Sequence, residues 1–261
     1  MKKFINRYWE YMIFSFFCIS ISAWFLEIIF SLVVRGKLVS PGTLSGPWCP
    51  VYGTTFLFLL LLIEKKDSQI YNFVKIFVIA SIVEYLASFI SGEIFHNVIW
   101  DYSGRFLNIN GRICFYYSIF WGILAIFLMK AIQPQVRKFM ALILRKFNLS
   151  TIRTIILVLT IFIAIDCIIS AYAINMFRIR MIAINDLNVA HKDEIIELNL
   201  KLNKSKIHSF LIHYFFNDKK MIRTYPNLKQ EKLDGTIVYF KDLLPDIKPY
   251  YYKFVAKDFY K

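Results

Sequence analysis

Residues 152–177 read IRTIILVLTIFIAIDCIISAYAINMF, an apolar run that contains two charged residues, Arg153 and Asp166. A helix needs about 20 predominantly apolar residues to cross the hydrocarbon core of a bilayer, and this run exceeds that length. It therefore predicts a transmembrane helix. This prediction decides the fold class, because it places the chain in a membrane.

The composition of the whole chain supports the same conclusion. Of its 261 residues, 57% are hydrophobic and 19% are charged, and the mean hydropathy is +0.50. Soluble domains are about 45–50% apolar and about 25% charged, so a chain this apolar has too little polar surface to fold in water. The apolar fraction also excludes an intrinsically disordered chain.

Further apolar runs precede residues 152–177, and together they predict an all-α polytopic membrane protein with about five transmembrane helices. The predicted spans are residues 11–34, 48–63, 70–94, 113–129 and 152–177. The second run is short and opens with prolines, so it fits either a short span or a re-entrant half-helix. Residues 1–177 are thus expected to form a helical bundle.

Residues 178–261 are predicted to form a small soluble α+β tail. Ile195, Leu198 and Leu202 have the spacing of a short amphipathic helix. Further on, residues 233–239 read LDGTIVY, which is typical of a turn that leads into a strand.

The net charge of +14 is explained by orientation in the membrane. If five helices cross and the N-terminus is cytoplasmic, most of the basic residues that flank spans fall on the cytoplasmic side, as the positive-inside rule requires. The tail is then extracytoplasmic. Basic residues near span ends do not form the single basic face that nucleic-acid binding needs, so no nucleic-acid partner is expected.

Residues 130–148 are predicted to form a basic amphipathic helix on the cytoplasmic membrane surface. The apolar residues recur at spacings of three and four, and four basic residues lie elsewhere on the wheel. This helix is either an interfacial connector or a docking element for a cytoplasmic partner. The apolar positions are Val136, Phe139, Met140, Ile143 and Phe147.

Acidic residues inside the predicted spans are the first candidate site. Each costs about 2.5–3.5 kcal/mol on insertion scales, so each needs an explanation. Small hydroxyl residues recur near them at helical spacing. Either the acids pair and lock the bundle, or they form a site for a polar or cationic substrate, a proton or a lipid headgroup. This polar seam comprises Glu27, Glu84, Tyr85, Ser88 and Asp166.

The loop that follows the third span is a second candidate site. Tryptophan suits the membrane interface, and arginine binds phosphate or carboxylate groups in a bidentate manner. The candidate residues of this external loop are Glu93, Trp100, Asp101, Arg105 and Arg112.

Common catalytic motifs are missing from the sequence. It has no phosphate-binding loop of an ATPase, no dinucleotide fingerprint, and no metalloprotease or serine-hydrolase motif. The four cysteines lack the spacing of a metal site. We therefore expect no ATPase activity, no metal and no cofactor; no catalytic residue is identified, and enzymatic activity is the less favoured alternative.

Residues 42–53 read GTLSGPWCPVYG. This resembles the G-x-L-x-G-P-x-x-P-x-Y-G motif of the bacterial integral membrane family known as putative ABC-transporter type IV, although Ser40-Pro41-Gly42 stands where the family usually has Asn-Arg-Gly. A second block, with Glu84-Tyr85, WDYS at 100–103 and NGRIC at 110–114, is similar to the same family. The residues of this chain that the resemblance marks as part of the family's loop motif are Gly46, Pro47, Pro50, Tyr52 and Gly53.

The resemblance implies a permease-like protein of the bacterial plasma membrane, surrounded by lipids. It would be the membrane subunit of a transporter for a small polar solute or a lipid headgroup, with a separate cytoplasmic ATPase as partner. Two alternatives remain: a membrane-embedded enzyme that acts on lipids or cell-envelope precursors, and a non-catalytic scaffold with an envelope protein as partner.

Overall fold

The computed structural model describes residues 8–38, 41–63, 67–95, 100–247 and 250–251. The first part contains, in chain order, α1 (Tyr8–Arg35), β1 (Lys37–Leu38), α2 (Pro50–Leu62), α3 (Gln69–Phe89), α4 (Phe115–Phe127), α5 (Gln133–Lys146) and α6 (Leu149–Ile184). The rest contains α7 (Lys192–Asn203), α8 (Lys206–Tyr214), α9 (Asp218–Thr224), β2 (Lys229–Glu231), β3 (Ile237–Tyr239), α10 (Phe240–Leu243) and β4 (Tyr250–Tyr251).

Within the described residues, four helical stretches are long and apolar enough to cross a membrane. They are Trp9–Val33, Gln69–Ile94, Phe115–Ile143 and Leu149–Ile184. At most 28% of the apolar window of any of them is buried, and their exposed side chains are largely apolar. A surface of this kind is stable against lipid rather than water. The predicted fold class, an all-α multi-pass membrane protein with an α+β tail, is confirmed.

Helix α2 corresponds to the short run among the five predicted spans. Pro50 begins it, because proline is pre-organised for the first helical position and needs no hydrogen-bond acceptor there. Its 13 residues rise about 20 Å, whereas the hydrocarbon core is about 30 Å thick. The full crossing of residues 48–63, and with it the external position of the tail, stays a prediction.

The amphipathic segment predicted at 130–148 is a continuation of α4. A π-helical turn at Leu128–Ile132 joins α4 to α5, and the helix runs on to Lys146. Val136 and Met140 are buried whereas Phe139 is exposed, so the helix packs by one stripe. Phe147 is exposed as well, so the structure buries part of the apolar face that the spacing of three and four predicts and exposes the rest.

The contacts of the chain divide it into two units. The first unit comprises Met1–Phe25, Gly46–Phe89 and Trp100–Ile165, and the second comprises Leu26–Ser45, Ile90–Ile99 and Asp166–Lys261. In the first unit, Ile19 of α1, Phe56 and Leu60 of α2 and Val136 of α5 form one buried cluster.

The second unit has its core at the C-terminal end of α6. This helix has 36 residues, about 54 Å, so it is longer than a membrane crossing requires. Its last turns bury Ile174, Phe177 and Ile182 against Ile222 and Phe240 of the tail. The border predicted at residue 177 therefore lies inside one continuous helix.

Two antiparallel strand pairs complete the second unit. Lys229 pairs with Tyr239 between β2 and β3, and Lys37 pairs with Tyr251 between β1 and β4. The predicted helix around residues 195–202 is α7, and the predicted strand after the turn at residues 233–236 is β3.

Candidate functional site

The side chain of Glu84 in α3 is 6% exposed and accepts two hydrogen bonds on one carboxylate oxygen. The hydroxyl of Tyr102 donates to Oε1 over 3.1 Å, and the indole Nε1–H of Trp121 donates to the same atom over 2.9 Å. Tyr102 comes from the loop after α3 and Trp121 from α4. The carboxylate therefore joins three separate segments of the first unit.

The other carboxylate oxygen of Glu84, Oε2, is buried and has no hydrogen-bond partner in the described part of the chain. Glu84 lines a cavity of about 60 Å³ between α2, α3 and α4, which has room for a few waters or one small polar group. A buried polar atom without a partner is costly. The structure thus places a buried carboxyl group with one unsatisfied oxygen at the wall of the cavity.

Tyr102 is fixed in place by its own loop. Its backbone N–H donates to the carbonyl of Gly111 over 2.8 Å, and its ring stacks on Tyr117 with centroids 4.6 Å apart. Burial raises the pKa of the Tyr102 phenol well above its usual range, and the neighbouring Glu84 adds to the shift. The hydroxyl therefore stays protonated and donates.

The remaining bonds of residues 100–114 hold this loop together. The side chain of Asp101 accepts from the backbone N–H of Ser103 over 2.9 Å, and the indole N–H of Trp100 donates to the carbonyl of Arg112 over 2.8 Å. Gly111 turns the chain with a φ of 68°, a conformation that glycine adopts without strain.

The residues of the predicted external loop site have different environments, and a single site that contains them stays a prediction. The guanidinium of Arg112 lies over the rings of Phe89 and Tyr85, 4.9 Å and 5.6 Å from their centroids. Arg105 is exposed. Glu93 lies in the π-helical turn Ile90–Ile94, which belongs to the second unit.

The loop motif at residues 46–53 begins α2 and lets it approach α1. The backbone N–H of Cys49 donates to the carbonyl of Ser20 over 3.0 Å. A Cβ added to Gly53 would lie 2.8 Å from the carbonyl oxygen of Phe16, so only glycine fits there. Tyr52, the next residue to Gly53, places its ring edge-on to Trp121 at 5.7 Å.

Asp166 in α6 has a different environment, within the second unit. Its Oδ1 accepts from the backbone N–H of Ser45 and from the hydroxyl of Ser170, both over 3.2 Å. The Ser45 hydroxyl in turn lies 2.8 Å from the hydroxyl of Tyr225 in the tail. Ser45 thus links Asp166 and Ser170 of α6 to Tyr225 of the tail.

Comparison with known proteins identifies the family. A family model described as Putative ABC-transporter type IV matches residues 14–171. The chain belongs to this family. No curated protein and no solved structure matches it.

The match to the Putative ABC-transporter type IV family covers the whole Glu84 site. Glu84, Tyr102, Trp121 and the loop motif all lie within residues 14–171. Tyr225 and most of the second unit's core lie outside that range. The resemblance predicted from the loop motifs is confirmed.

The polar-seam residues are divided between the two units of the structure. Glu84, Tyr85 and Ser88 lie along α3 in the first unit, whereas Glu27 and Asp166 belong to the second. Glu27 is half-buried in α1, and Ser88 is buried one turn after Glu84. A single site that contains all three acids stays a prediction.

Sequence reasoning missed one buried ion pair in the first unit. Glu10 is fully buried, and its Oε1 accepts from Nη2 and Nε of Arg153 over 2.7 Å and 2.9 Å. Both residues stand at the start of a span, with opposite charges. These opposite charges at the starts of two spans are a sequence signal from which the ion pair could have been predicted.

The described residues contain no group of three His, Cys, Asp or Glu side chains placed to hold a metal. The Glu84 site presents one carboxyl group among aromatic and aliphatic side chains. The chemistry of such a group suits a cation or a hydrogen-bond donor.

Proposed function

We propose that this chain is the permease-like membrane subunit of a transporter, and that the cavity beside Glu84 receives the polar group of its solute. The observation that carries the proposal is that Glu84, whose buried oxygen Oε2 has no partner in the described residues, lines that cavity. Membership of a family named for ABC transporters supports the transport role. The solute is a small polar molecule or a lipid headgroup.

A purely structural role for Glu84 is less well supported than one for the other intramembrane acids. The carboxylate of Asp166 is bonded to Ser45 and Ser170, and that of Glu10 is paired with Arg153. For Glu84, both donors converge on Oε1. Oε2 of Glu10 is likewise buried without a partner in the described residues, but Glu10 is paired with a cation. The donors to Glu84 are the neutral side chains of Tyr102 and Trp121, and Glu84 lines a cavity.

The energy for transport would come from a separate cytoplasmic ATPase, since the sequence has no phosphate-binding loop. We propose α5 as the contact for that partner. It is polar enough to leave the bilayer at its C-terminal end, where Arg145 and Lys146 occupy the last turn. In this arrangement the N-terminus is cytoplasmic in the bacterial plasma membrane, and the tail is extracytoplasmic.

The proposal is tested by the ligand that co-purifies with the protein. Wild type, Glu84→Gln and Asp166→Asn are extracted in mild detergent and analysed by native mass spectrometry. Asp166→Asn is the matched control, because it also neutralises an intramembrane acid. We expect a small-molecule adduct on wild type and on Asp166→Asn, and its loss from Glu84→Gln.

The same preparations test the ATPase partner. A bound nucleotide-hydrolysing protein on wild type supports the permease role. An adduct that persists on a folded Glu84→Gln variant contradicts the role of the cavity, and a co-purified envelope protein in place of an ATPase favours the scaffold alternative.

A further inference from the structure

We propose that the cavity beside Glu84 binds an organic ammonium group, such as a methylated amine headgroup. This inference rests on the proposed function and names the chemical class of its solute. The cavity is lined by the rings of Tyr52, Phe56, Trp100 and Trp121 together with the Glu84 carboxylate. Aromatic rings beside a carboxylate are the surround that binds quaternary ammonium ions.

Three of the hydrogen-bond donors that line the cavity are already engaged. The indole N–H of Trp121 donates to Oε1 of Glu84, and that of Trp100 donates to the carbonyl of Arg112. The hydroxyl of Thr55 donates to the carbonyl of Val51 over 2.8 Å. These three groups are therefore unavailable to an anion or to the acceptor oxygens of a sugar, and Oε2 of Glu84 attracts the opposite charge.

An inorganic cation fits this lining poorly. Hard cations such as Ca²⁺ take about six to eight oxygen ligands, and the cavity offers one partnerless carboxylate oxygen among rings and aliphatic side chains. An organic ammonium needs no oxygen shell, since the ring faces and one negative charge stabilise it together. A cavity of about 60 Å³ takes a headgroup rather than a whole lipid.

The test compares choline with its neutral isostere, 3,3-dimethyl-1-butanol, on the full-length protein. The protein is placed in nanodiscs of phosphatidylglycerol, because phosphatidylcholine and phosphatidylethanolamine carry ammonium groups themselves. Calorimetry gives the two affinities, and tryptophan fluorescence reports the contact with Trp100 and Trp121. We expect choline to bind at least about tenfold more tightly than the isostere.

Two variants assign the preference to this cavity. Glu84→Gln keeps the shape and removes the charge, and Tyr52→Leu removes one ring while it leaves the carboxylate. Each variant should weaken the binding of choline by about tenfold and leave the affinity for the isostere unchanged. Glu197→Gln, on an exposed acid of α7, is the control and should change neither affinity.

Equal affinity for choline and its isostere in wild type overturns the ammonium assignment without any variant. An affinity for choline that is the same in Glu84→Gln and in wild type also overturns this assignment. If Glu84→Gln loses its co-purified solute while choline shows no preference, the proposed function stands and the ammonium assignment fails. If choline binds as expected but the solute persists on Glu84→Gln, the ammonium site stands and the proposed transport role of the cavity fails.

Discussion

The hydroxyl of Tyr102, in a loop after α3, donates a hydrogen bond to the carboxylate of Glu84 over 3.1 Å inside a membrane-spanning helix. The bond fixes the loop to the helix and leaves the second carboxylate oxygen without a partner in the described residues. The loop at residues 100–114 is thus part of the site rather than a connection between spans.

Tyr102→Phe should destabilise the protein because it removes one of the two donors to a buried carboxylate. A hydrogen bond to a charged group contributes about 1.5–3 kcal/mol, so the thermal unfolding midpoint in detergent should fall. Tyr117→Phe is the control, since its ring stacks on Tyr102 without a bond to Glu84. Equal midpoints for the two variants would argue against the loop's role.

Gly53→Ala should separate α1 from α2. The added Cβ would lie 2.8 Å from the Phe16 carbonyl oxygen, and overpacking of this kind costs about 1–3 kcal/mol. Gly104→Ala is the control, because its Cβ would meet nothing within 4 Å. Thermal unfolding of both variants measures the difference, and a Gly53→Ala protein as stable as Gly104→Ala would refute the close approach.

Arg153→Met should destabilise the first unit, because it leaves the buried Glu10 carboxylate without its partner. Breaking a buried pair costs about 3–5 kcal/mol, and we expect about 2 kcal/mol here since Arg153 is half exposed. The double variant Glu10→Gln/Arg153→Met should recover part of the loss. A chemical denaturation series measures this, and additive losses in the double variant would show that the pair is not coupled.

The tail should become less stable at acidic pH because His208 is protonated there. Burial lowers the pKa of His208 below its ordinary value of 6.5, and the charge of Arg180 adds to the shift. The neutral ring, 2.9 Å from the Tyr172 hydroxyl, is the form that the fold favours. Its contribution is present above pH 6.5 and is lost as the pH falls, because the unfolded chain binds the proton more readily.

Hydrogen exchange of the α8 amides at about pH 7.5 and about pH 5 measures this effect. Protection should drop at the lower pH in wild type and in His191→Gln, whose histidine is exposed. The drop should be smaller in His208→Phe. An equal drop in His208→Phe would place the pH sensitivity elsewhere.

Length and hydropathy predicted the spans because lipid demands apolar residues over a fixed thickness. They did not predict where α6 ends. Arg178 and Arg180 read as the end of a span, yet their guanidinium Nε atoms donate to Gln230 over 2.6 Å and to Asp218 over 3.0 Å in the tail. These contacts give the two guanidinium groups polar partners where the helix continues to Ile184.

The site was predictable in part. The cost of an acid in a span marked Glu84 from sequence alone, but its partners lie 18 and 37 residues away and come together only through the loop and α4. The same holds for Asp166 and Tyr225, which meet through Ser45. Spacing along one helix carries no information about a side chain that another segment supplies.

Whether the cavity beside Glu84 is a binding site can be seen in a density map of the full-length protein in lipid nanodiscs. We predict density inside the cavity within hydrogen-bonding or ion-pairing distance of Oε2 of Glu84. This density should be present in wild type and in Asp166→Asn and lost in Glu84→Gln. An empty cavity in wild type, or an Oε2 atom bonded to another residue of the chain, would contradict it.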